Sequence, residues 1–156
     1  MAEHDGVGAR LLVVDDNKVN RLLLSRLLEQ QGYRVETAEN GRVALERLHT
    51  DPPDLMLLDI EMPHMDGCQV ARQLRRDFSR KECLIIAVTG RADDELAQQC
   101  REAGIDLVLI KPVNRSVVET LLMLEYARVN RSQTNKASGH ALKLSSRFAT
   151  ASGRKL

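Results

Sequence analysis

The stretch LLVVDD, Leu11–Asp16, is a short apolar run that ends in two acidic residues. A compact run of leucine and valine of this kind predicts a strand buried inside a parallel sheet. Four later segments carry a related signal, three as compact apolar runs and one as an alternating pattern. The strands predicted after the first are Tyr33–Ala38, Leu55–Ile60, Leu84–Thr89 and Leu107–Ile110.

Helical patterns fill the intervals between these strands. Apolar residues recur at helical spacing from Lys18 to Gln31, and Gly32 is placed to end that helix. We expect the leucines of the first and last helices to lie in the core. The other predicted helices are Arg42–His49, Gly67–Arg76, Ala92–Ala103 and Ser116–Val129, the last with Asn114 or Ser116 as its cap.

Strands and helices therefore alternate along the chain with brief connections. Such alternation predicts right-handed βαβ units and a parallel sheet covered by helices on both faces. The predicted fold class is α/β, a doubly wound five-stranded parallel sheet. For the strand order 2-1-3-4-5, the first and third strands are neighbours at the point where the connections change direction, and ligands bind there.

Polar residues end four of the five strands. Asp15 and Asp16 end the first, Asp59 ends the third, Thr89 ends the fourth and Lys111 follows the fifth. The carboxyl ends of parallel strands share one edge of the sheet, so these side chains are expected to converge there.

Three neighbouring carboxylates raise one another's pKa unless a positive charge compensates them. An all-oxygen site with few protein ligands suits Mg²⁺, which often binds phosphate as well. Lys111 adds a charge and Thr89 a hydroxyl that can bind phosphoryl oxygens, and Asp59 can act as a carboxylate nucleophile. The sequence thus points to phosphoryl transfer to an aspartate.

Each of these residues also has an ordinary explanation when taken singly. Asp15 and Asp16 could cap the first helix, Asp59 could be a common acid before a loop, and Thr89 and Lys111 could be unremarkable strand-end residues. All five lie at the carboxyl ends of predicted strands, and this combination favours the functional interpretation.

Four segments in this order resemble response-regulator receiver domains of two-component systems. They are VVDDNKVNR (13–21), LLDIEMPHMDG (57–67), AVTG (87–90) and the pair Lys111-Pro112. The resemblance covers about residues 10–126, and the first segment particularly resembles receivers attached to hybrid histidine kinases. It implies a flavodoxin-like (βα)5 fold and a signalling domain rather than an enzyme, although one that assists its own phosphorylation and dephosphorylation.

The resemblance also implies roles for individual residues. Asp59 would accept a phosphoryl group from a histidine kinase or a histidine phosphotransfer protein. Asp16, Asp59 and the backbone carbonyl of Glu61 would bind Mg²⁺, with Asp15 helping through water. Thr89 and Lys111 would hold the phosphoryl oxygens.

The resemblance has further implications for the backbone and for assembly. The Lys111-Pro112 bond would be cis, and Met62-Pro63 with Asp66-Gly67 would shape the loop beside the acceptor. A homodimer through the fourth and fifth helices would be plausible.

The sequence departs from the family at two positions near the fifth strand. Val108 stands where receivers commonly carry the Tyr or Phe that couples to the threonine, and Val113 stands where Phe is frequent. Glu61 and Arg91 occupy positions that in the family tune the lifetime of the acyl phosphate. The phosphorylation site is therefore complete, while the usual aromatic relay is missing.

Composition and charge indicate a globular domain followed by a basic tail. Hydrophobic residues make up 43% of the chain and charged residues 29%. Residues 127–156 hold seven basic and no acidic residues, which leaves 1–126 with a net charge of −6. We expect an N-terminal extension (1–9), a receiver domain (10–130) and a basic polar tail or linker (131–156).

Other features of the sequence bear on the location of the protein and on the role of its cysteines. No apolar run is long enough for a membrane span and no signal peptide is recognisable, so a cytoplasmic location is expected. The three cysteines, Cys68, Cys83 and Cys100, are widely spaced and are expected to be inert thiols.

Two rival functions use some of the same features. A Mg²⁺-dependent phosphohydrolase with an aspartyl nucleophile needs similar groups, but usually has a DxD motif on its first catalytic strand and a cap for which this chain has no room. A receiver with a nucleic-acid-binding tail would use the basic residues after Arg131, although no base-reading motif is recognisable there.

Overall fold

The computed structural model describes residues 9–79 and 82–134. Five strands and five helices alternate along this part of the chain. They are β1 (Arg10–Val14), α1 (Lys18–Gln30), β2 (Arg34–Ala38), α2 (Gly41–Thr50), β3 (Leu55–Asp59), α3 (Gly67–Asp77), β4 (Leu84–Thr89), α4 (Asp94–Glu102), β5 (Leu107–Ile110) and α5 (Arg115–Thr134).

The five strands form one parallel sheet in the order β2-β1-β3-β4-β5. The predicted fold class and strand order are thus confirmed. The register places Val14 beside Leu58, Asp59 beside Val88, and Thr89 beside Ile110. The strand ends therefore lie close to a common edge, which is the edge where the polar residues were expected.

The central strands carry the core because both of their faces are covered. Every residue of β3 is buried, and β1 and β4 are buried except at their first residues. This explains why their sequences are continuous apolar runs rather than alternating ones. The outer strand β2 alternates between more and less exposed positions, as its sequence pattern predicts.

Side-chain caps fix where the helices after the strands begin. The N-cap side chains of Asn17, Asn40, Asp66 and Asp93 accept hydrogen bonds from backbone N–H groups in the first turns of α1, α2, α3 and α4. At α3 the cap is reciprocal, since Gln69 also accepts from the Asp66 backbone. Each cap satisfies donors that a helix start leaves unpaired.

The expectation that the leucines of α1 lie in the core is only partly right. Leu28 is buried, but Leu22 and Leu23 are 47% and 58% exposed and Val19 is 63% exposed. Ser25 takes a core-facing position instead, and its hydroxyl donates to the Arg21 carbonyl. That bond satisfies the buried hydroxyl within its own helix, so the core-facing stripe of α1 is narrower than its leucines suggest.

The chain divides into two compact units after Val113. The second unit begins with α5, where Asn114 is the cap because its side chain accepts from the Val117 N–H at 3.0 Å. Within this helix Leu121 is buried and Met123 is half exposed. The helix continues to Thr134, beyond the predicted end at Val129.

Two predicted segments lie largely outside the described residues. These are the N-terminal extension (1–9), of which only Ala9 is described, and the basic tail (131–156), of which 131–134 belong to α5. Among the described helices, none combines the length and the apolar character that a membrane crossing requires.

Candidate functional site

The predicted site residues lie together at the carboxyl edge of the sheet. Asp15 follows β1, Asp59 ends β3, Thr89 ends β4 and Lys111 follows β5. The Lys111 N–H donates to the Thr89 carbonyl at 2.8 Å, which extends the β4–β5 ladder up to the lysine. The Lys111 Nζ lies 3.5 Å from Asp59 Oδ2. The expected convergence therefore brings Lys111 and Asp59 together as an ion pair.

Three carboxylates form the acidic part of the site. Oxygen atoms of Asp15, Asp16 and Asp59 all lie within 4.8 Å of one another. Asp15 and Asp59 are buried, whereas Asp16 is exposed. A small set of oxygen ligands open to water on one side fits Mg²⁺, which keeps several of its own waters. The donor set therefore fits the expected cation.

Asp15 is held in place by its neighbours. Its Oδ1 accepts from the Asn17 N–H at 2.8 Å and its backbone carbonyl accepts from Arg21 Nη1 at 2.8 Å. Its own N–H donates to the Ala38 carbonyl on β2 at 3.1 Å. The role of Arg21 was not anticipated from the sequence, because a contact to a backbone carbonyl leaves no mark in residue spacing.

The carboxyl group of Asp59 is unusually hard to ionise. Its pKa is raised from 3.8 to about 6, mainly by burial and then by the charge of Asp15. Lys111 and the Glu61 N–H, which donates to Asp59 Oδ1 at 3.1 Å, act in the opposite direction on the pKa. Burial and like charge therefore outweigh the lysine, as the crowding of carboxylates predicted.

The hydroxyl of Thr89 has hydrogen-bond partners on both sides. Thr89 is fully buried, and its Oγ1 donates to Glu61 Oε1 at 3.3 Å. The same oxygen accepts from the Arg91 N–H at 3.1 Å. The sequence analysis placed Glu61 at a position that in the family tunes the lifetime of the acyl phosphate, but it did not predict this hydrogen bond to Thr89.

The loop between β3 and α3 packs tightly on the acceptor strand. The Gly67 N–H donates to the Ile60 carbonyl at 3.2 Å. A Cβ atom at Gly67 would lie 2.7 Å from the Asp59 carbonyl oxygen and 2.9 Å from the Ile60 Cα. Contacts this short are forbidden for a side chain, so glycine is required beside the acceptor.

The structure also bears on the predictions for Pro112, Val108 and the cysteines. The Lys111-Pro112 bond is cis, as the resemblance implied. Val108 is partly buried and packs against the apolar core cluster.

Cys68 Sγ and Cys100 Sγ lie 4.0 Å apart, and burial raises the pKa of both thiols, that of Cys100 to about 12. A thiol that resists ionisation is a poor nucleophile, which agrees with the expected inert character.

Comparison with known protein families identifies the class. Residues 11–122 match the model of the response regulator receiver domain. The chain therefore belongs to the receiver domain family of two-component signalling systems.

Individual relatives are of several kinds. The sensor histidine kinase RcsC of Escherichia coli K12 is 37% identical over 132 residues, which is 85% of this chain and 14% of RcsC. The response regulator MprA of Mycolicibacterium vanbaalenii is 36% identical over 132 residues, 85% of this chain and 55% of MprA. The chain thus spans only a small part of the kinase that it matches and about half of the regulator.

Solved structures agree with the fold. The chemotaxis protein CheY4 of Vibrio cholerae superposes with a TM-score of 0.70 at 31% identity, covering 74% of this chain and 96% of that one. A CheY-like receiver domain protein from Methanospirillum hungatei gives 0.72 at 28% identity, covering 78% and 97%.

Proposed function

We propose that Asp59 is the residue of this receiver domain that accepts a phosphoryl group. The observation that carries the proposal is the convergence of a buried carboxylate, two further carboxylates, a lysine and a threonine hydroxyl at one edge of the sheet. Asp59 is central to this group, since its Oδ2 faces Lys111 Nζ at 3.5 Å and its carboxylate lies among those of Asp15 and Asp16.

The proposed reaction moves a phosphoryl group from a histidine nitrogen to an aspartate oxygen. A carboxylate oxygen of Asp59 forms a bond to phosphorus while the phosphorus–nitrogen bond of the donor breaks, and the released imidazole takes up a proton. The product is an aspartyl phosphate. Later attack by water on the phosphorus regenerates the carboxylate and releases inorganic phosphate, the self-dephosphorylation expected of such a domain.

We propose Mg²⁺ as the cofactor of this reaction. The ligands would be Asp16, Asp59 and the backbone carbonyl of Glu61, with Asp15 acting through water. When bound, the cation supplies positive charge that offsets the crowded carboxylates and the incoming phosphoryl oxygens.

Lys111 and Thr89 complete the site in this proposal. The Lys111 ammonium already faces Asp59 and would bind a phosphoryl oxygen as a point charge. The Thr89 hydroxyl would donate to another phosphoryl oxygen. Because phosphoryl transfer depends mainly on positioning and charge neutralisation, these groups suffice without a further catalytic base.

We further propose that the donor is a histidine kinase or a histidine phosphotransfer protein. The similarity to a segment of a sensor histidine kinase supports this donor. The proposed division of the chain is a receiver domain over 10–130, preceded by a short extension (1–9) and followed by a basic tail or linker (131–156).

Intact-mass spectrometry after incubation with acetyl phosphate and Mg²⁺ tests the proposal. We expect the mass of one phosphoryl group to be added, the adduct to be labile to base, and Asp59→Asn to remain unlabelled. Asp77→Asn, which neutralises an exposed aspartate at the end of α3, is the matched control and should label like the parent chain. No labelling of the parent, or equal labelling of Asp59→Asn, would contradict the proposal, and sustained turnover of phosphoesters would favour a phosphohydrolase.

A further inference from the structure

The hydrogen bond between Glu61 and Thr89 has a consequence for the reaction. The Thr89 side chain is fully buried, and its hydroxyl donates to Glu61 Oε1 at 3.3 Å. A hydroxyl carries a single proton and can donate only one strong hydrogen bond at a time. While Thr89 donates to Glu61, it cannot donate to an oxygen of a group attached to Asp59.

We propose that Glu61 is a positioning residue that holds the Thr89 hydroxyl in the unphosphorylated chain and so opposes phosphorylation of Asp59. This inference rests on the proposed function of Asp59. Transfer of the phosphoryl group then includes an exchange of hydrogen bonds, in which Thr89 leaves the Glu61 carboxylate and donates to a phosphoryl oxygen. Glu61 returns to water, which costs little because its residue is already exposed.

The contacts on the other side of Thr89 extend the effect into the next loop. The Arg91 N–H donates to Thr89 Oγ1 at 3.1 Å. The Arg91 guanidinium binds Asp93 Oδ2 at 2.9 Å and 3.1 Å, and Asp93 Oδ1 accepts from the Leu96 N–H at 2.8 Å as the cap of α4. Rotation of the Thr89 hydroxyl therefore acts on a continuous chain of hydrogen bonds that ends at the start of α4.

These contacts matter because β5 carries Val108 where receivers commonly carry an aromatic residue. The Val108 side chain has no hydrogen-bonding group and no ring, so it cannot follow the movement of Thr89 as a tyrosine or phenylalanine would. The contacts from Glu61 through Thr89 to Arg91 connect the acceptor to the β4–α4 loop without any contribution from Val108.

A double-mutant cycle tests the proposal through the rate of phosphorylation. The variants are Glu61→Ala, Thr89→Val and the two combined, and the rate is measured from acetyl phosphate and Mg²⁺ by intact mass. Removing Glu61 should raise the rate about 2- to 10-fold, the factor equivalent to one net hydrogen bond. In the Thr89→Val background the same substitution should have no effect, because no hydroxyl remains to be released.

The cycle separates this mechanism from simple repulsion between Glu61 and the phosphoryl group. Repulsion does not need the hydroxyl, so an equal acceleration in the Thr89→Val background would overturn the proposal. Glu61→Gln keeps the acceptor oxygen and loses the charge, and it should fall between the parent and Glu61→Ala because a neutral acceptor binds the hydroxyl less strongly. Equal rates for Glu61→Gln and Glu61→Ala would likewise contradict it. Thr89→Ser, which keeps the hydroxyl, should restore the effect of removing Glu61.

Folding stability without any phosphodonor gives an independent measurement. If Glu61 holds the Thr89 hydroxyl, the losses in unfolding free energy of Glu61→Ala and Thr89→Val should not add in the double variant. Additive losses would overturn the inference whatever the phosphorylation rates are. Absence of labelling in the parent chain would instead overturn the assignment of Asp59. The double-mutant cycle of folding stability would still decide whether Glu61 and Thr89 are coupled.

Discussion

Arg75 on α3 and Asp106, in the turn before β5, form an ion pair of 2.7 Å between Nη2 and Oδ2, with both side chains 13% exposed. The same guanidinium donates to the carbonyls of Gly104 and Cys83 at 2.9 Å and 2.8 Å. Asp106 Oδ2 also accepts from the Ile85 N–H at 2.8 Å. Two side chains thereby join one helix to the starts of two strands at the edge of the sheet opposite the candidate site.

We expect Arg75→Met to lower the unfolding free energy by about 3 kcal/mol, because it removes the ion pair with Asp106 and the hydrogen bonds to the Gly104 and Cys83 carbonyls. Urea unfolding at neutral pH measures the change. Arg42→Met is the control, since Arg42 pairs with Glu46 on the exposed face of α2 and should change stability by less than about 0.5 kcal/mol. Similar losses for the two variants would refute the structural role of the Arg75–Asp106 pair.

The stability of the metal-free chain should depend on the ionisation of Asp59. Its pKa is about 6 in the folded chain against 3.8 for an ordinary aspartate, so the folded state binds the proton more tightly. Stability should then fall as the pH rises from about 4 to about 6 and show no further loss from this group above that range. Asp59→Asn should therefore stabilise the chain at neutral pH, by up to about 3 kcal/mol.

Unfolding by urea in the presence of a chelator, followed from pH 4 to pH 8, checks this pH dependence. The gain from Asp59→Asn should shrink as the pH falls through 6 towards 4. Asp77→Asn, a change at an exposed carboxylate, is the control and should alter stability by less than about 0.5 kcal/mol. A gain from Asp59→Asn that stays constant over the whole range would argue against an abnormal carboxyl group at this position.

Magnesium should stabilise the folded chain by binding to the proposed ligands Asp16, Asp59 and the Glu61 carbonyl. A ligand that binds only the folded state adds about 1.4 kcal/mol at ten times its dissociation constant. We expect the unfolding midpoint of the parent chain to rise with millimolar Mg²⁺, and that of Asp16→Asn to rise much less because one proposed ligand is lost. An equal rise in both chains would show that the cation binds elsewhere.

Gly67→Ala should disturb the site through the backbone. The new methyl group would lie 2.7 Å from the Asp59 carbonyl oxygen, so the loop or the end of β3 must move. We expect a loss of about 1–3 kcal/mol in stability and a lower rate of phosphorylation. Gly90→Ala is a matched control, because a Cβ atom there has no neighbour within 4 Å. Equal tolerance of the two substitutions would contradict the close packing at Gly67.

The sequence predicted the fold well because its strongest signals are local. The apolar runs that became β1, β3 and β4 are continuous since both faces of those strands are covered, and their polar last residues mark the edge where the site forms. Exposure on α1 was predicted less well. Helical spacing places Leu22 and Leu23 near the core-facing side, but only the packed structure shows that Ser25 faces the core in their place.

Two properties of the site needed three-dimensional information. The raised pKa of Asp59 depends on how completely the folded chain buries the carboxyl group. The contact between Glu61 and Thr89 joins side chains 28 residues apart and depends on their rotamers. Neither quantity follows from residue spacing, although the spacing correctly placed Asp15, Asp16, Asp59, Thr89 and Lys111 together.

The single proton of the Thr89 hydroxyl also bears on how strong a signal the domain can send. With two competing acceptors and one donor, the proposed mechanism gives each molecule either the Glu61 partner or the phosphoryl partner. A stronger stimulus would then increase the fraction of molecules in the second state rather than move every molecule further. Substitutions at Glu61 would shift that fraction at a fixed level of stimulus, and so would set the threshold of the response.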